Sequence, residues 1–211
     1  MLKRRKLLLT VCGMKDPENI RRVAQLNPDF MGFIFYPPSP RFAGDLRKND
    51  LEMLDAHISK VGVFVDPSEK AVREKYELLE LDYVQLHGTE STDFVKDLAE
   101  KDIRIIKVIS GNNELDSGYM EKVEPYIDYW LMDNRPELPG GTGIKFDRSV
   151  LNTYPFEKPV LLSGGLDAEE VLQIRQEAHP AVAGVDVNSK VEDAPGIKNI
   201  GRIEILLNSL E

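Results

Sequence analysis

A single cysteine, Cys12, stands in a chain of 211 residues. No internal disulfide can form, and a reducing cytosol is the default expectation. Basic residues are outnumbered: 27 Lys and Arg against 36 Asp and Glu give a formal net charge of −9. That is the opposite of the basic footprint that nucleic acid demands, so no nucleic-acid partner is expected. No apolar run approaches the roughly 20 residues needed to cross a bilayer, so no membrane partner is expected either. The histidines His57, His87 and His179 are far apart, and one cysteine supplies no zinc-type spacing; no metal site is expected. Also missing are a Gly-x-Gly-x-x-Gly or Walker pattern after the first strand, which argues against a nucleotide cofactor, and the Gly-x-Ser-x-Gly elbow of Ser-His-Asp hydrolases.

What is present is ordinary globular sequence. Hydrophobic residues make up 42% of the chain, enough to exclude disorder for most of it. The length suits one domain, residues 1–211, because a single βα barrel commonly occupies roughly 200 to 250 residues. The opening Met1-Leu2-Lys3-Arg4-Arg5-Lys6 before Leu7 to Val11 superficially resembles a secretory signal. Its apolar stretch is shorter than the 7 to 15 residues of an h-region, and bulky Val11 precedes the cysteine, so a first strand is the better reading.

Short apolar runs rich in β-formers alternate with amphipathic stretches, the pattern of a parallel sheet rather than of hairpins. Eight strands are predicted: Leu7 to Val11, Met31 to Phe35, Val61 to Val65, Tyr83 to Leu86, Arg104 to Ile109, Tyr129 to Met132, Val160 to Leu162 and Gly184 to Val187. Most are nearly continuous in apolar residues, as strands covered on both faces should be. Helix starts are marked by Asp16-Pro17, by Asp66-Pro67-Ser68-Glu69 and by Asp167-Ala168-Glu169-Glu170, where an Asp can cap free N–H groups. Apolar spacing predicts helices through Leu51, Leu54 and Ile58, through Val72, Tyr76 and Leu79, through Val171, Ile174 and Ala178, and through Ile200, Ile203 and Leu207. From Ser110 to Asp128 the chain is polar and only briefly periodic, around Tyr119 to Tyr126. These elements predict an α/β fold, a single-domain TIM (β/α)8 barrel with a degenerate fifth helix, the structural alternative being an open doubly wound sheet.

Chemistry in such barrels sits where strands end and the following loops begin. After the first strand comes Cys12-Gly13-Met14, in which a lone buried cysteine is commonly an inert small hydrophobe. After the second, the stiff loop Tyr36-Pro37-Pro38-Ser39-Pro40-Arg41 fixes a guanidinium suited to a planar carboxylate, or simply to an acid of the chain itself. Gln85 and His87 share one side of the fourth strand. Asp133 ends the apolar run Trp130-Leu131-Met132; burial there would favour its neutral form and allow it to act as an acid, the alternative being a loop hydrogen-bonder. The ends Ser163-Gly164-Gly165-Leu166 and Asp186-Val187-Asn188-Ser189, with Gly140-Gly141-Thr142-Gly143, carry glycine turns whose N–H groups can converge on a phosphate.

The ordered set Cys12-Gly13-Met14, Gly32-Phe33-Ile34-Phe35, Ser39-Pro40-Arg41, Gln85-Leu86-His87-Gly88, Gly140-Gly141-Thr142-Gly143, Ser163-Gly164-Gly165-Leu166 and Asp186-Val187-Asn188-Ser189 resembles the phosphoribosylanthranilate isomerase family of tryptophan biosynthesis. The resemblance covers nearly the whole chain. It implies a cofactor-free Amadori rearrangement of a small phosphosugar substrate, with Asp133 as general acid and Cys12, as thiolate, the general base. By the same resemblance Arg41 holds the anthranilate carboxylate and the glycine loops the 5-phosphate. Substrate contacts are expected from Gln85, His87, Gly141, Thr142, Gly143, Ser163, Gly164, Gly165, Asp186, Asn188 and Ser189, in a cytoplasmic monomer or homodimer. Two positions depart from the family's pattern: Thr10 stands where a Lys is usual, and Lys190 follows Asn188-Ser189 where a Gly is usual. The competing readings are a related phosphosugar aldose-ketose isomerase, which would pair aspartates at the ends of strands one and five, and a catalytically silent phosphate-binding barrel.

Overall fold

In the computed structural model, which describes residues 7–110, 116–133, 151, 154 and 157–210, eight parallel strands close on themselves. They are β1 (Leu8–Val11), β2 (Phe30–Ile34), β3 (Ser59–Phe64), β4 (Tyr83–Leu86), β5 (Ile105–Ser110), β6 (Tyr129–Asp133), β7 (Val160–Ser163) and β8 (Val182–Val187). Closure runs through β1, which pairs with β2 on one side and along its full length with β8 on the other, Leu8 opposite Gly184 and Val11 opposite Val187. The fold is therefore the TIM barrel, and the open doubly wound sheet is excluded by the β1–β8 ladder.

Alternation along each strand divides the core in two. Leu9 and Val11, Met31 and Phe33, Trp130 and Met132, and Val185 and Val187 pack outward against the helices. Phe30, Val61, Tyr83, Ile106, Leu131 and Leu161 form a second cluster inside the barrel. Near its N-terminal end the rings of Phe30, Tyr83 and Tyr129 meet edge to face, with centroids 5.5 to 6.1 Å apart, and fill the lumen. Both faces of the sheet are dry, which is why the strands read as unbroken apolar runs.

Among the described residues the helices are α1 (Pro17–Ala24), α2 (Lys48–Leu51), α3 (Glu69–Leu79), α4 (Thr92–Ala99), α5 (Ser117–Val123), α6 (Ala168–Glu177) and α7 (Ile200–Leu210). Asp16 caps α1 through the Asn19 amide, and Asp167 and Glu170 form a reciprocal capping box on α6. The cap of α3 is Ser68, which accepts from Ala71 N, and not Asp66. Asp66 instead takes a left-handed backbone (φ 44°) and accepts from the amide and hydroxyl of Thr89, tying the loop after β3 to the loop after β4. The helix predicted through Leu51, Leu54 and Ile58 is also corrected: only one turn forms, and Ile58 directly precedes β3, leaving too little chain for a helix. Leu51 is buried at the end of that turn, Leu54 is half-buried beyond it and Ile58 is buried directly ahead of β3, so helical spacing alone misled. The fifth helix is the reduced one expected, seven residues followed by a 3₁₀ turn over Glu124–Tyr126. An antiparallel hairpin after β8, β9 (Glu192–Ala194) and β10 (Ile197–Lys198), was not anticipated.

Candidate active site

At the C-terminal mouth of the barrel, Cys12 extends the β1–β8 ladder by one residue, its amide donating to Val187 O at 2.9 Å. A Cβ on Gly32 of β2 would lie 2.7 Å from the Cys12 sulfur, so the absence of a side chain there lets the sulfur settle against β2. Gly13 has φ +77°, and a Cβ on it would lie 2.7 Å from Asn188 Oδ1 and 2.8 Å from Arg41 Cδ. Glycine is thus required twice over, for the backbone and for the close approach of two other loops.

Across the mouth, β6 ends on Asp133, in register with Ser110 of β5 and Ser163 of β7. Its side chain is 8% exposed, and Oδ2 lies 3.4 Å from His87 Nε2. Cys12, Gln85, His87, Asp133, Ser163, Asp186 and Asn188 line one cavity of about 200 Å³, which Ile34, Tyr36, Val63 and Val65 wall on one side with apolar surface. The cavity thus gathers a thiol, an imidazole and two carboxyl groups around a partly apolar pocket.

His87 is carried by a buried ion pair. Lys107 Nζ meets Glu90 Oε2 at 2.7 Å, with both side chains 2% exposed, and also donates to Leu86 O and Gly88 O. Glu90 in turn accepts from the amides of Gly88 and Asp66. Burial holds the Lys107 ammonium below its ordinary pKa, with Glu90 opposing that drop.

Arg41 is engaged by the chain itself. Its Nε lies 2.9 and 3.0 Å from the two Glu192 oxygens and Nη2 2.7 Å from Oε2, while among the described residues Nη1 makes no hydrogen bond. One edge of the guanidinium is therefore occupied and the outer edge is available to a second carboxylate. Glu192 also accepts from Lys198 Nζ at 2.6 Å and Gly196 N at 3.0 Å. Burial alone would raise the Glu192 carboxyl, but hydrogen bonds from Arg41 and Lys198 outweigh it and hold the group below its usual range.

The turn from β7 into α6 has left-handed glycines at Gly164 (φ 105°) and Gly165 (φ 78°) beside Ser163. Lys190 leans over it, its Cε 3.9 Å from where a Gly165 Cβ would stand. Ser189 is exposed and opens a 3₁₀ turn, Ser189–Val191. Gly141, Thr142 and Gly143 lie outside the described residues. Sequence reasoning missed Glu192, Lys198, Lys107 and Glu90. The Pro195-Gly196 dipeptide was the available sign of the β9–β10 hairpin. Among the described residues no group of His, Cys, Asp or Glu is arranged to hold a metal ion, and no helix is long and apolar enough to cross a membrane.

A closed eight-stranded barrel with titratable groups gathered at the C-terminal ends of its strands has the architecture of a TIM-barrel enzyme. Because β1 leads into Cys12 and β5 ends on Ser110, the aspartate pair of the related aldose-ketose isomerases is lacking. Residues 9–209 match the family model described as N-(5'-phosphoribosyl)anthranilate (PRA) isomerase. The chain is 38% identical over 208 residues to the N-(5'-phosphoribosyl)anthranilate isomerase of Parabacteroides distasonis, covering 97% of this chain and 93% of that one. The Phocaeicola vulgatus enzyme is 35% identical, with 97% and 98% covered. Among solved structures, the phosphoribosyl anthranilate isomerase of Thermotoga maritima superposes with TM-score 0.80 at 29% identity, covering 97% and 98%. A structure of such an isomerase in complex with reduced 1-(o-carboxyphenylamino)-1-deoxyribulose 5-phosphate gives 0.77 at 28% identity, with the same coverage. The chain belongs to the phosphoribosylanthranilate isomerase family, the isomerases of tryptophan biosynthesis.

Proposed function

We propose that Cys12 and Asp133 are the base and acid of an Amadori rearrangement of N-(5-phosphoribosyl)anthranilate. Asp133 protonates the ring oxygen, the bond from that oxygen to C1 breaks, and a Schiff base remains. Cys12, as thiolate, takes the C2 proton, and the electron pair moves into the C1–C2 bond to give an enolamine. Loss of the proton from the C2 hydroxyl and protonation at C1 yield 1-(2-carboxyphenylamino)-1-deoxyribulose 5-phosphate. C1 is reduced as C2 is oxidised, so no external redox partner is needed.

The observation that carries this reading is that Cys12 and Asp133 line the same cavity, of a volume that admits a small ligand. Asp133, the acid that the first step needs, is buried at the cavity mouth with His87 Nε2 3.4 Å away. The apolar wall of Ile34, Tyr36, Val63 and Val65 suits an aromatic ring, and the outer edge of Arg41 its carboxylate. The Gly164-Gly165 turn, with Ser163 and Lys190, suits the 5-phosphate, and Gln85, His87, Asp186 and Asn188 supply polar groups to the cavity. Ser189, Gly141, Thr142 and Gly143 are substrate contacts on the sequence resemblance alone. A net charge of −9 offers a dianion little long-range attraction, so affinity must be local. The setting is a cytoplasmic monomer or homodimer with no cofactor.

The substrate fluoresces through its aminobenzoate, so turnover is followed as fluorescence loss. Each positioned proton transfer contributes about 10²–10⁴ in rate, so Cys12→Ala and Asp133→Asn should each lower kcat at least a hundredfold with circular dichroism unchanged. A Cys12→Ala protein that keeps most of its turnover ends the thiolate-base reading. Binding without turnover by the unmodified chain would favour the silent barrel.

A further inference from the structure

Behind Cys12 lies a buried charge cluster that the reaction scheme leaves unused. Lys198, on β10, has a side chain with no exposure at all. Its Nζ donates to Glu192 Oε1 at 2.6 Å, to Asn188 Oδ1 at 2.7 Å and to Asn188 O at 3.3 Å. Asn188 is also the residue that packs on Gly13 and lines the cavity with Cys12. Among the described residues the cluster holds two cations, Arg41 and Lys198, but one carboxylate, Glu192. One carboxylate does not fully neutralise two cations, and Lys198, bonded to the Asn188 that packs on Gly13, holds its share of the excess behind the Cys12-Gly13 turn.

We infer that Lys198 is the positioning residue that keeps Cys12 ionised, by placing a buried ammonium behind the Cys12-Gly13 turn and clamping Asn188 against that turn. The inference deepens the proposed mechanism and rests on the reading of Cys12 as thiolate base. Among the described residues the other charged groups on the surrounding elements are less able to do this, and Lys190 leans over the Gly165 turn instead. Asp133 and Asp186, in the same cavity, oppose a thiolate whenever ionised. His87 faces Asp133 at 3.4 Å across the mouth. Arg41 is matched by Glu192, and Lys15 points its Nζ to Pro40 O over the Gly196 turn. Thr10, two residues before the cysteine, is buried and carries no charge. Burial lowers the Lys198 pKa from its ordinary value while Glu192 and Cys12 oppose that drop; electrostatic coupling is mutual, so the ammonium favours the thiolate in return.

Cys12 is the only cysteine, so its ionisation can be read without interference, as thiolate absorbance at 240 nm or as the pH dependence of iodoacetamide alkylation. In the unmodified protein the midpoint should lie below the ordinary thiol value of about 8.5. Lys198→Gln should raise that midpoint by about one unit or more and lower kcat with KM little changed, while Lys198→Arg should restore the low midpoint. A role confined to structural support would lower the melting temperature and leave the midpoint alone. Should Lys198→Gln not fold, Cys12→Ser leaves the cluster intact, and carbon-13 titration of the Lys198 side chain should then show its pKa displaced downward. A low midpoint unmoved in folded Lys198→Gln, or a Lys198 pKa unmoved in Cys12→Ser, overturns the inference. An ordinary midpoint in the unmodified protein instead removes the thiolate reading on which it rests.

Discussion

Single atoms decide a good deal at the mouth of this barrel. A methyl group at Gly32 would sit 2.7 Å from the Cys12 sulfur and 3.1 Å from its α-carbon, and the strand backbone cannot retreat. Gly32→Ala should therefore swing the thiol out of line and cut kcat about a hundredfold, since misplacement by about an ångström costs that much, with an overpacking cost in stability of about 1–3 kcal/mol. Steady-state kinetics beside a thermal melt would check it; unchanged kcat would show that the sulfur tolerates the shift. Arg41 poses a different question, because its inner edge already holds Glu192. If its outer edge holds the substrate carboxylate, Arg41→Ala should raise KM at least tenfold with a smaller effect on kcat, the mark of binding shared by ground and transition states. Near-normal KM would leave Arg41 a structural partner of Glu192 alone.

At the scale of elements, the loops are held by ions that sequence patterning does not reveal. The Lys107–Glu90 pair links β5 to the loop after β4 and so fixes the backbone around His87. Removing one member strands a buried charge, so Lys107→Met should cost about 3–5 kcal/mol in urea unfolding. Replacing both, as Lys107→Met with Glu90→Leu, should recover most of that loss, yet leave a slower enzyme because Gly88 and Asp66 lose their acceptor. Equal destabilisation in the single and double variants would mean that packing rather than charge is at stake. The β9–β10 hairpin plays the same part on the opposite side, with Glu192 and Lys198 directly across from each other in register.

For the molecule as a whole, these ions link stability to pH. The Glu192 carboxyl is held below its ordinary value of 4.5, so the stability it contributes is fully present above that value and is lost as pH falls through the folded-state pKa. Glu192→Gln should leave Arg41 and Lys198 uncompensated and destabilise at pH 7, but flatten the acid limb of the stability curve. Urea midpoints at pH 7 and pH 4 would check both effects, and an acid limb as steep as in the unmodified protein would contradict them. All eight strands and the reduced fifth helix were legible along the chain, because dry parallel strands leave unbroken apolar runs and a polar stretch cannot build a full amphipathic helix. The turn at Leu51 to Ile58 was not, because turns as well as helices can bury residues three or four apart.

Local pattern by itself determined the parallel βα alternation, its strand ends and the residues standing on them: Cys12, Gln85, His87, Asp133, Ser163 and Asp186 are legible because each lies in or directly after an apolar run. Only the closed sheet decided which of them share a cavity. It also decided that Arg41 meets Glu192, 151 positions along the chain, and that Lys198 is buried behind Cys12. The physical reason is that burial and charge pairing between distant segments depend on how the strands register around the barrel, a quantity that no window of sequence contains.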